Sequence, residues 1–201
     1  MLDEIVNSIV EIVNQWGYSG IVAAMFLESS FFPFPSEVIM LPAGYLSHRG
    51  DMNIFAAICA GIAGSMAGAA LNYYIAHRYG RRFFLKYGRY IGFDEKSLGK
   101  IELFFEKHGE ISTFNGRLIP GVRQYISFPA GLAGMSLGRF FLYTGLGAGL
   151  WVSVLAVLGY YAGANEEYLK RYLDNATYTV LLLVLALSLF YWIRSRAKGS
   201  R

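Results

Sequence analysis

The sequence predicts an all-α membrane protein with an inverted repeat. In each repeat a re-entrant helical hairpin precedes a transmembrane helix, and an extra C-terminal transmembrane helix and amphipathic surface helices complete the fold. Composition is the first observation behind this prediction, since 55% of the 201 residues are apolar and 16% are charged, against roughly one quarter charged in soluble domains. The second is that charge and proline interrupt two apolar segments, each followed by a glycine-rich span.

Length and charge limit the other classes of protein. Several spans of about 20 residues each use up the chain, so residues 1–201 are expected to form a single integral membrane domain. The 18 Lys and Arg against 14 Asp and Glu flank apolar spans, which favours membrane lipids over nucleic acid as partners. The single Cys59 and three scattered histidines provide no metal site, and no cofactor is expected.

The first hairpin begins after an amphipathic stripe at residues 3–16, which either lies in the membrane interface or packs on the bundle. An apolar run from Ile21 then meets charge and proline before a second apolar run. Proline removes a backbone donor and disfavours helix at the preceding residue, so the chain should break here. The freed backbone groups must face the bundle interior or a cavity. The interrupting residues are Glu28, Pro33, Pro35 and Glu37.

The first transmembrane helix is predicted over residues 53–76, where Gly64 and Gly68 have the spacing that lets two helices approach closely. It completes repeat one, about residues 19–77. Residues 77–110 mix basic and aromatic side chains, which is typical of one or two amphipathic helices on the membrane surface, or simply of a solvated charged face.

The second hairpin is predicted over residues 111–134, and a glycine-rich span over 140–163 completes repeat two, about residues 111–163. Its interrupting residues are Arg117, Pro120, Arg123 and Pro129. A third, shorter span is predicted over 178–193, followed by a basic tail.

Two short sequences suggest a duplication, although a similarity of this length also arises by chance. Leu41-Pro42-Ala43-Gly44 and Phe128-Pro129-Ala130-Gly131 each precede a glycine-rich span that ends in a tyrosine pair. Basic residues favour the cytoplasmic side, which places the tail, and hence the C-terminus, and the 77–110 loop there. The two hairpins then enter from opposite sides, as in secondary transporters.

The buried charges are the candidate functional residues. Arg117 and Arg123 offer planar donors for a lipid phosphate, with Tyr125 and Asn72 as further candidate substrate contacts. Asn72 has an alternative role as a helix–helix hydrogen bond. Glu28 and Glu37 are candidates for proton coupling, since an apolar setting favours the neutral acid and a nearby arginine favours the carboxylate. Static ion pairs that fix the packing of the hairpins are the alternative.

These motifs resemble the DedA family of bacterial membrane proteins. The resemblance rests on Phe26-x-Glu28 through Pro35-Ser36-Glu37, and on Gly116-Arg117 through Pro120-Gly121-Val122-Arg123. It implies lipid translocation in the bacterial cytoplasmic membrane, including return of undecaprenyl phosphate to the cytoplasmic leaflet, use of the proton motive force, and phospholipid flipping or scrambling. Position by position, the family's embedded acids fall on Glu28 and Glu37, and its arginines on Arg117 and Arg123.

The leading hypothesis is a proton-coupled flippase for a lipid phosphate, with undecaprenyl phosphate as the expected substrate. The alternatives are a flippase or scramblase for a phospholipid such as phosphatidylethanolamine, and a scaffold for membrane assembly that transports nothing. A lipid phosphatase needs a nucleophile or general base beside the phosphate, and no histidine is near either arginine motif in the sequence. An enzyme is therefore not expected. The glycine-rich spans permit a homodimer.

Overall fold

The computed structural model describes residues 2–30, 35–83, 95–119 and 121–162, and the side chains among them from Gln15 and, after the second gap, from Leu98. These residues form α-helices and turns, and no strand occurs in the described ranges, which confirms the all-helical class. The predicted span 178–193, Pro33 and Pro120 lie outside these ranges. The helices are α1 (Leu2–Ser29), α2 (Glu37–His48), α3 (Ile54–Ile75), α4 (Glu95–Leu118), α5 (Ser127–Leu132) and α6 (Leu137–Ala162).

Helix α1 changes direction at Gly17, whose φ of 55° lies in the left-handed region that glycine adopts at low cost. The predicted helix before Gly17 is therefore confirmed. The second part of α1 packs against α3 at its glycines. A Cβ atom at Gly64 would lie 2.4 Å from the carbonyl oxygen of Val22, and one at Gly68 would lie 2.5 Å from that of Phe26. Close approach at these two glycines is confirmed.

Helix α3 begins at Asn53, whose side chain accepts hydrogen bonds from the amides of Phe55 and Ala56. It continues through the π-helical turn Ala76–Gly80, so that Ile54–Phe83 forms one apolar helical stretch of 30 residues. This stretch and α6, with 26 residues, are long and apolar enough to cross a membrane.

The outer face of α6 is apolar and exposed, while the interior of the bundle holds polar side chains. Exposed apolar side chains along a whole helix face suit a lipid environment. The exposed side chains on α6 include Leu142, Leu146, Leu150, Val154 and Leu158. The buried polar ones include Glu28, Ser36, Asn72, Thr113, Arg117, Arg123, Gln124, Ser127 and Thr144.

Helix α4 runs without interruption from Glu95 to Leu118, so no boundary separates a surface helix from the second hairpin at residue 111. The helix ends where Pro120 follows in the sequence, because the residue before proline disfavours helix. A turn leads to α5 at Ser127. Pro129 lies in the first turn of α5, where proline is tolerated, and the break precedes it.

Two short helices pack on long helices from the other part of the chain. A Cβ atom at Gly44, in α2, would lie 2.2 Å from the carbonyl oxygen of Ala156, in α6. A Cβ atom at Gly131, in α5, would lie 2.3 Å from the carbonyl oxygen of Tyr73, in α3. Gly44 and Gly131 are 87 positions apart. The two short helices therefore make reciprocal backbone contacts that only glycine permits.

Candidate functional site

The structure buries three of the four predicted charges almost completely. Glu28 is 3% exposed, Arg117 3% and Arg123 6%, and the carboxylate of Glu37 is mostly buried. Glu28 lies in the last turn of α1, Glu37 in the first turn of α2 and Arg117 in the last turn of α4, whereas Arg123 lies in the turn before α5. All four charged residues therefore lie at helix ends or in a turn, where the two apolar segments are interrupted.

Arg123 joins the two acids. Its Nη2 atom lies 3.2 Å from Oε1 of Glu28 and 3.4 Å from Oε2 of Glu37. Its Nη1 atom donates a hydrogen bond of 2.6 Å to the hydroxyl of Ser36. One guanidinium group thus connects the end of α1 to the beginning of α2 through charge-assisted bonds. We call these residues the Arg123 cluster: Glu28, Ser36, Glu37 and Arg123.

Trp151 on α6 closes one side of this cluster. The guanidinium carbon of Arg123 lies 5.2 Å from the centre of a Trp151 ring, a cation–π distance. The indole Nε1 donates to the Ser36 hydroxyl at 3.1 Å. Sequence reasoning did not select Trp151, because a tryptophan within an apolar span is ordinarily a lipid contact or an interfacial anchor.

Arg117 has different surroundings. Its Nη2 atom donates to the hydroxyl of Ser127 at 2.9 Å, and its buried Nε atom has no hydrogen-bond partner in the described part of the chain. It forms no ion pair with any residue that the structure describes. Gly147 on α6 makes room for it, since a Cβ atom there would lie 2.7 Å from the Arg117 Cβ.

Asn72 ties the end of α1 to α3 and to the turn before α5. Its Nδ2 atom donates to the carbonyl oxygens of Ser29 at 3.0 Å and of Gln124 at 3.3 Å, and it also donates to that of Ser30. These hydrogen bonds between separate elements are of the kind expected if Asn72 joins helices and does not contact a substrate. Beside them, the hydroxyl of Ser29 donates to Oε2 of Glu28 at 2.7 Å.

Other predicted site residues lie apart from these contacts. Tyr125 is 53% exposed, and Pro35 directly precedes the turn that leads into α2. Within the described ranges, no group of three or more His, Cys, Asp or Glu side chains is placed to hold a metal ion. The arrangement instead concentrates arginine donors for an oxyanion next to acids that compete for one of them.

Comparisons with known proteins give a family match and several similar proteins. The VTT domain matches residues 34–161. The chain is 34% identical to the uncharacterized membrane protein YkoX of Bacillus subtilis, over 98% of this chain and 87% of that one. It is 32% identical to an alkaline phosphatase-like protein of Lactococcus lactis subsp. cremoris, over 94% and 92%. It is 29% identical to undecaprenyl phosphate transporter A of B. subtilis, over 97% of each chain. No solved structure matches it.

Proposed function

Because the chain belongs to the VTT domain, or DedA, family of bacterial membrane proteins, we propose that it transports a lipid phosphate across the cytoplasmic membrane. The observation that carries the proposal is Arg123, buried and shared between the carboxylates of Glu28 and Glu37. Undecaprenyl phosphate is the proposed substrate, and the name of the relative undecaprenyl phosphate transporter A supports that choice.

The uneven pairing of charges inside the bundle supports an anionic substrate. Two arginines and two acids are buried together, yet both acids pair with Arg123. A phosphate that reaches the site meets the guanidinium of Arg117 and competes with the acids for Arg123. Planar guanidinium donors match phosphate oxygens in pairs, so a lipid phosphate suits the site better than a zwitterionic headgroup.

Protons are the proposed coupling ion. Protonation of Glu28 or Glu37 removes one of the charges that hold Arg123 and frees the guanidinium for the substrate anion. Loss of that proton on the other side of the membrane restores the ion pair and expels the phosphate. Moving a buried carboxylate between its charged and neutral forms changes the energy of its arginine pair, which is the linkage that coupling requires.

An inverted repeat with two re-entrant hairpins is the proposed framework for alternating access. The reciprocal glycine contacts of α2 on α6 and α5 on α3 support it. In this arrangement the two hairpins approach the Arg123 cluster from opposite membrane surfaces, and the C-terminus lies in the cytoplasm.

The test is transport by the full chain in proteoliposomes that contain labelled undecaprenyl phosphate, with and without a pH gradient. The wild type should move this lipid faster when the gradient is imposed. The variant Glu28→Gln should lose the response to the gradient. Arg123→Lys should slow transport about tenfold or more, because an ammonium group cannot replace the shared bonds of the guanidinium.

Matched controls come from an exposed ion pair, Arg81 with Glu102, at 3.4 Å. Glu102→Gln and Arg81→Lys repeat the same substitutions outside the cluster and should transport as the wild type does. Gradient-independent movement of many lipids, including phosphatidylethanolamine, would identify a scramblase. Release of inorganic phosphate would identify an enzyme. No movement of any lipid by a folded wild type would leave a scaffold role, and each of these results contradicts the proposal.

A further inference from the structure

A buried threonine on α6, three positions before the glycine that contacts Arg117, has no hydrogen-bond partner among the described residues. Thr144 is 0% exposed, and the unpaired atom is its hydroxyl oxygen Oγ1. Leaving a buried hydroxyl unpaired costs free energy, and such groups in native proteins require an explanation. Within the described ranges the other buried side-chain atoms in this condition are Asn72 Oδ1, Arg117 Nε and Arg123 Nε.

Helix geometry places Thr144 on the face of α6 that meets Arg117. Thr144 and Gly147 are three positions apart and therefore neighbours on one helix face. A Cβ atom at Gly147 would lie 2.7 Å from Cβ and 3.3 Å from Cγ of Arg117. Trp151, one turn beyond Gly147 on the same face, contacts Arg123. The face of α6 that carries Thr144 thus packs against the Arg117 side chain of α4.

A comparison of positions 87 apart shows that Ser127 and Thr144 have apolar counterparts earlier in the chain. Met40 and Ala57 both belong to a buried apolar cluster around α2, α3 and α6. The residues 87 positions later are Ser127 and Thr144. Two apolar positions that share a cluster near the first hairpin are therefore matched by two hydroxyls near the second, and one of these, Ser127, bonds Arg117.

We infer that Arg117, Ser127 and Thr144 form an oxyanion subsite that holds the terminal phosphate oxygens of the substrate, distinct from the Arg123 cluster. This inference rests on the proposed transport of a lipid phosphate and assigns separate tasks to the two arginines. Arg117 has no carboxylate pair among the described residues and is committed to the anion. Arg123 exchanges between the acids and the anion, as proposed above. The hydroxyls of Ser127 and Thr144 donate to phosphate oxygens that the single guanidinium leaves unbonded.

The experiment measures binding to the purified full chain in detergent, with farnesyl phosphate as the probe. Farnesol tests the lipid tail alone, and inorganic phosphate tests the anion alone. Thr144→Val removes the hydroxyl and keeps the shape, and it should weaken farnesyl phosphate binding about tenfold, the value of one hydrogen bond to a charged group. Thr144→Ser retains the hydroxyl and should bind within about threefold of the wild type. Farnesol binding should not change.

Thr113→Val is the matched control. Thr113 is also 0% exposed, but its hydroxyl is engaged with the sulfur of Met135 at 3.6 Å. Its replacement should leave farnesyl phosphate binding unchanged, which separates a specific effect at Thr144 from a general response to a lost buried hydroxyl. Thermal unfolding of each variant verifies that it is folded.

The outcomes distinguish this inference from the proposed function. If Thr144→Val binds farnesyl phosphate as the wild type does while the wild type transports undecaprenyl phosphate, the subsite is wrong and the transport function stands. If binding depends on Thr144 but the wild type transports no lipid, the subsite stands and the transport function is wrong. Equal binding of farnesyl phosphate and farnesol by the wild type would also overturn the subsite. Inorganic phosphate that binds as tightly as farnesyl phosphate, with the same dependence on Thr144, supports the subsite and assigns its ligand to free phosphate.

Discussion

Residues 36–75 and residues 123–162 make reciprocal contacts through Gly44 and Gly131 but present different chemistry to the interior. The first segment supplies Glu37 and the buried apolar side chains of Met40 and Ala57. The second supplies Arg123 and, 87 positions after those two apolar residues, the buried hydroxyls of Ser127 and Thr144. Backbone packing at the two glycines demands the same residue twice, because a Cβ atom would meet a backbone oxygen in both places. The interior side chains of the two segments are not constrained in this way, and their chemical types differ.

The two buried arginines, Arg123 and Arg117, differ in the same way: the first is paired with acids, and the second is hydrogen-bonded to a hydroxyl. Arg123 faces carboxylates from α1 and α2, whereas Arg117 faces Ser127. A buried ion pair adds little net stability relative to apolar side chains, but removal of one partner leaves a costly isolated charge. The two arginines should therefore respond differently to the same substitution.

The largest expected effect is a loss of stability on Arg123→Gln. This change leaves two carboxylates buried without their cation, which should cost about 3–5 kcal/mol. Arg117→Gln removes a guanidinium that has no ion pair with a described residue, and it should cost about 1–3 kcal/mol. The measurement is the free energy of unfolding in mixed detergent micelles.

A second substitution tests the cause of this difference. Adding Glu28→Gln to Arg123→Gln should recover part of the lost stability, because one isolated carboxylate is removed. The same addition to Arg117→Gln should recover less, since Glu28 is ion-paired with Arg123 and forms no ion pair with Arg117. Equal costs for the two arginine variants, or equal recovery, would show that the acids do not distinguish them.

A smaller effect is expected at the reciprocal glycines. Gly44→Ala and Gly131→Ala each place a methyl group against a backbone carbonyl, at 2.2 Å and 2.3 Å, and overpacking of this kind should cost about 1–3 kcal/mol. If the two contacts are equivalent, the costs should agree within about 0.5 kcal/mol. Chemical denaturation of each variant measures both values.

Gly99 in α4 provides the control for these two changes. Among the described residues, nothing lies within 4 Å of a Cβ atom placed at Gly99, so Gly99→Ala should leave stability unchanged or raise it by about 1 kcal/mol through helix propensity. A large cost at one reciprocal glycine and none at the other would show that the two short helices are not held in the same way.

The sequence predicted the parts of this structure that depend on local rules. Glycine spacing in α3 predicted close packing because a missing Cβ has the same effect in any helix pair. Charged residues in apolar segments were predicted to lie inside the bundle, because exposing a charge to lipid costs too much free energy. The helical break before α5 was predicted from Pro120 and Pro129, although the structure places Pro129 within the helix.

Other parts of the site depend on which distant residues meet. Trp151 and Ser36 are 115 positions apart, and no local pattern indicates that they share a hydrogen bond. Ser127 and Thr144 are ordinary small residues of membrane helices, and what distinguishes them is their burial and, for Ser127, the hydrogen bond from Arg117. The uninterrupted α4 was missed because a change from charged to apolar composition at residue 111 does not by itself end a helix.

The smallest expected effect concerns Trp151, which lies 87 positions after Gly64. Gly64 lets the backbones of α3 and α1 come into contact. The Trp151 side chain on α6 instead contacts the Arg123 guanidinium and the Ser36 hydroxyl. Trp151→Phe keeps an aromatic face over Arg123 but removes the indole donor to Ser36. The Ser36 hydroxyl retains its bond from Arg123, so the loss should be about 1 kcal/mol.

Trp151→Leu removes both the donor and the aromatic face and should cost about 1 kcal/mol more than Trp151→Phe, the value of a cation–π contact between buried groups. Unfolding in detergent, followed by circular dichroism so that the lost tryptophan does not alter the signal, measures the difference. In the background of Arg123→Gln this difference should disappear, because no cation remains over the ring. If the stability difference persists there, Trp151 contributes through packing alone. Trp151 and Gly64 would then differ in side-chain volume and not in an interaction with a charged group.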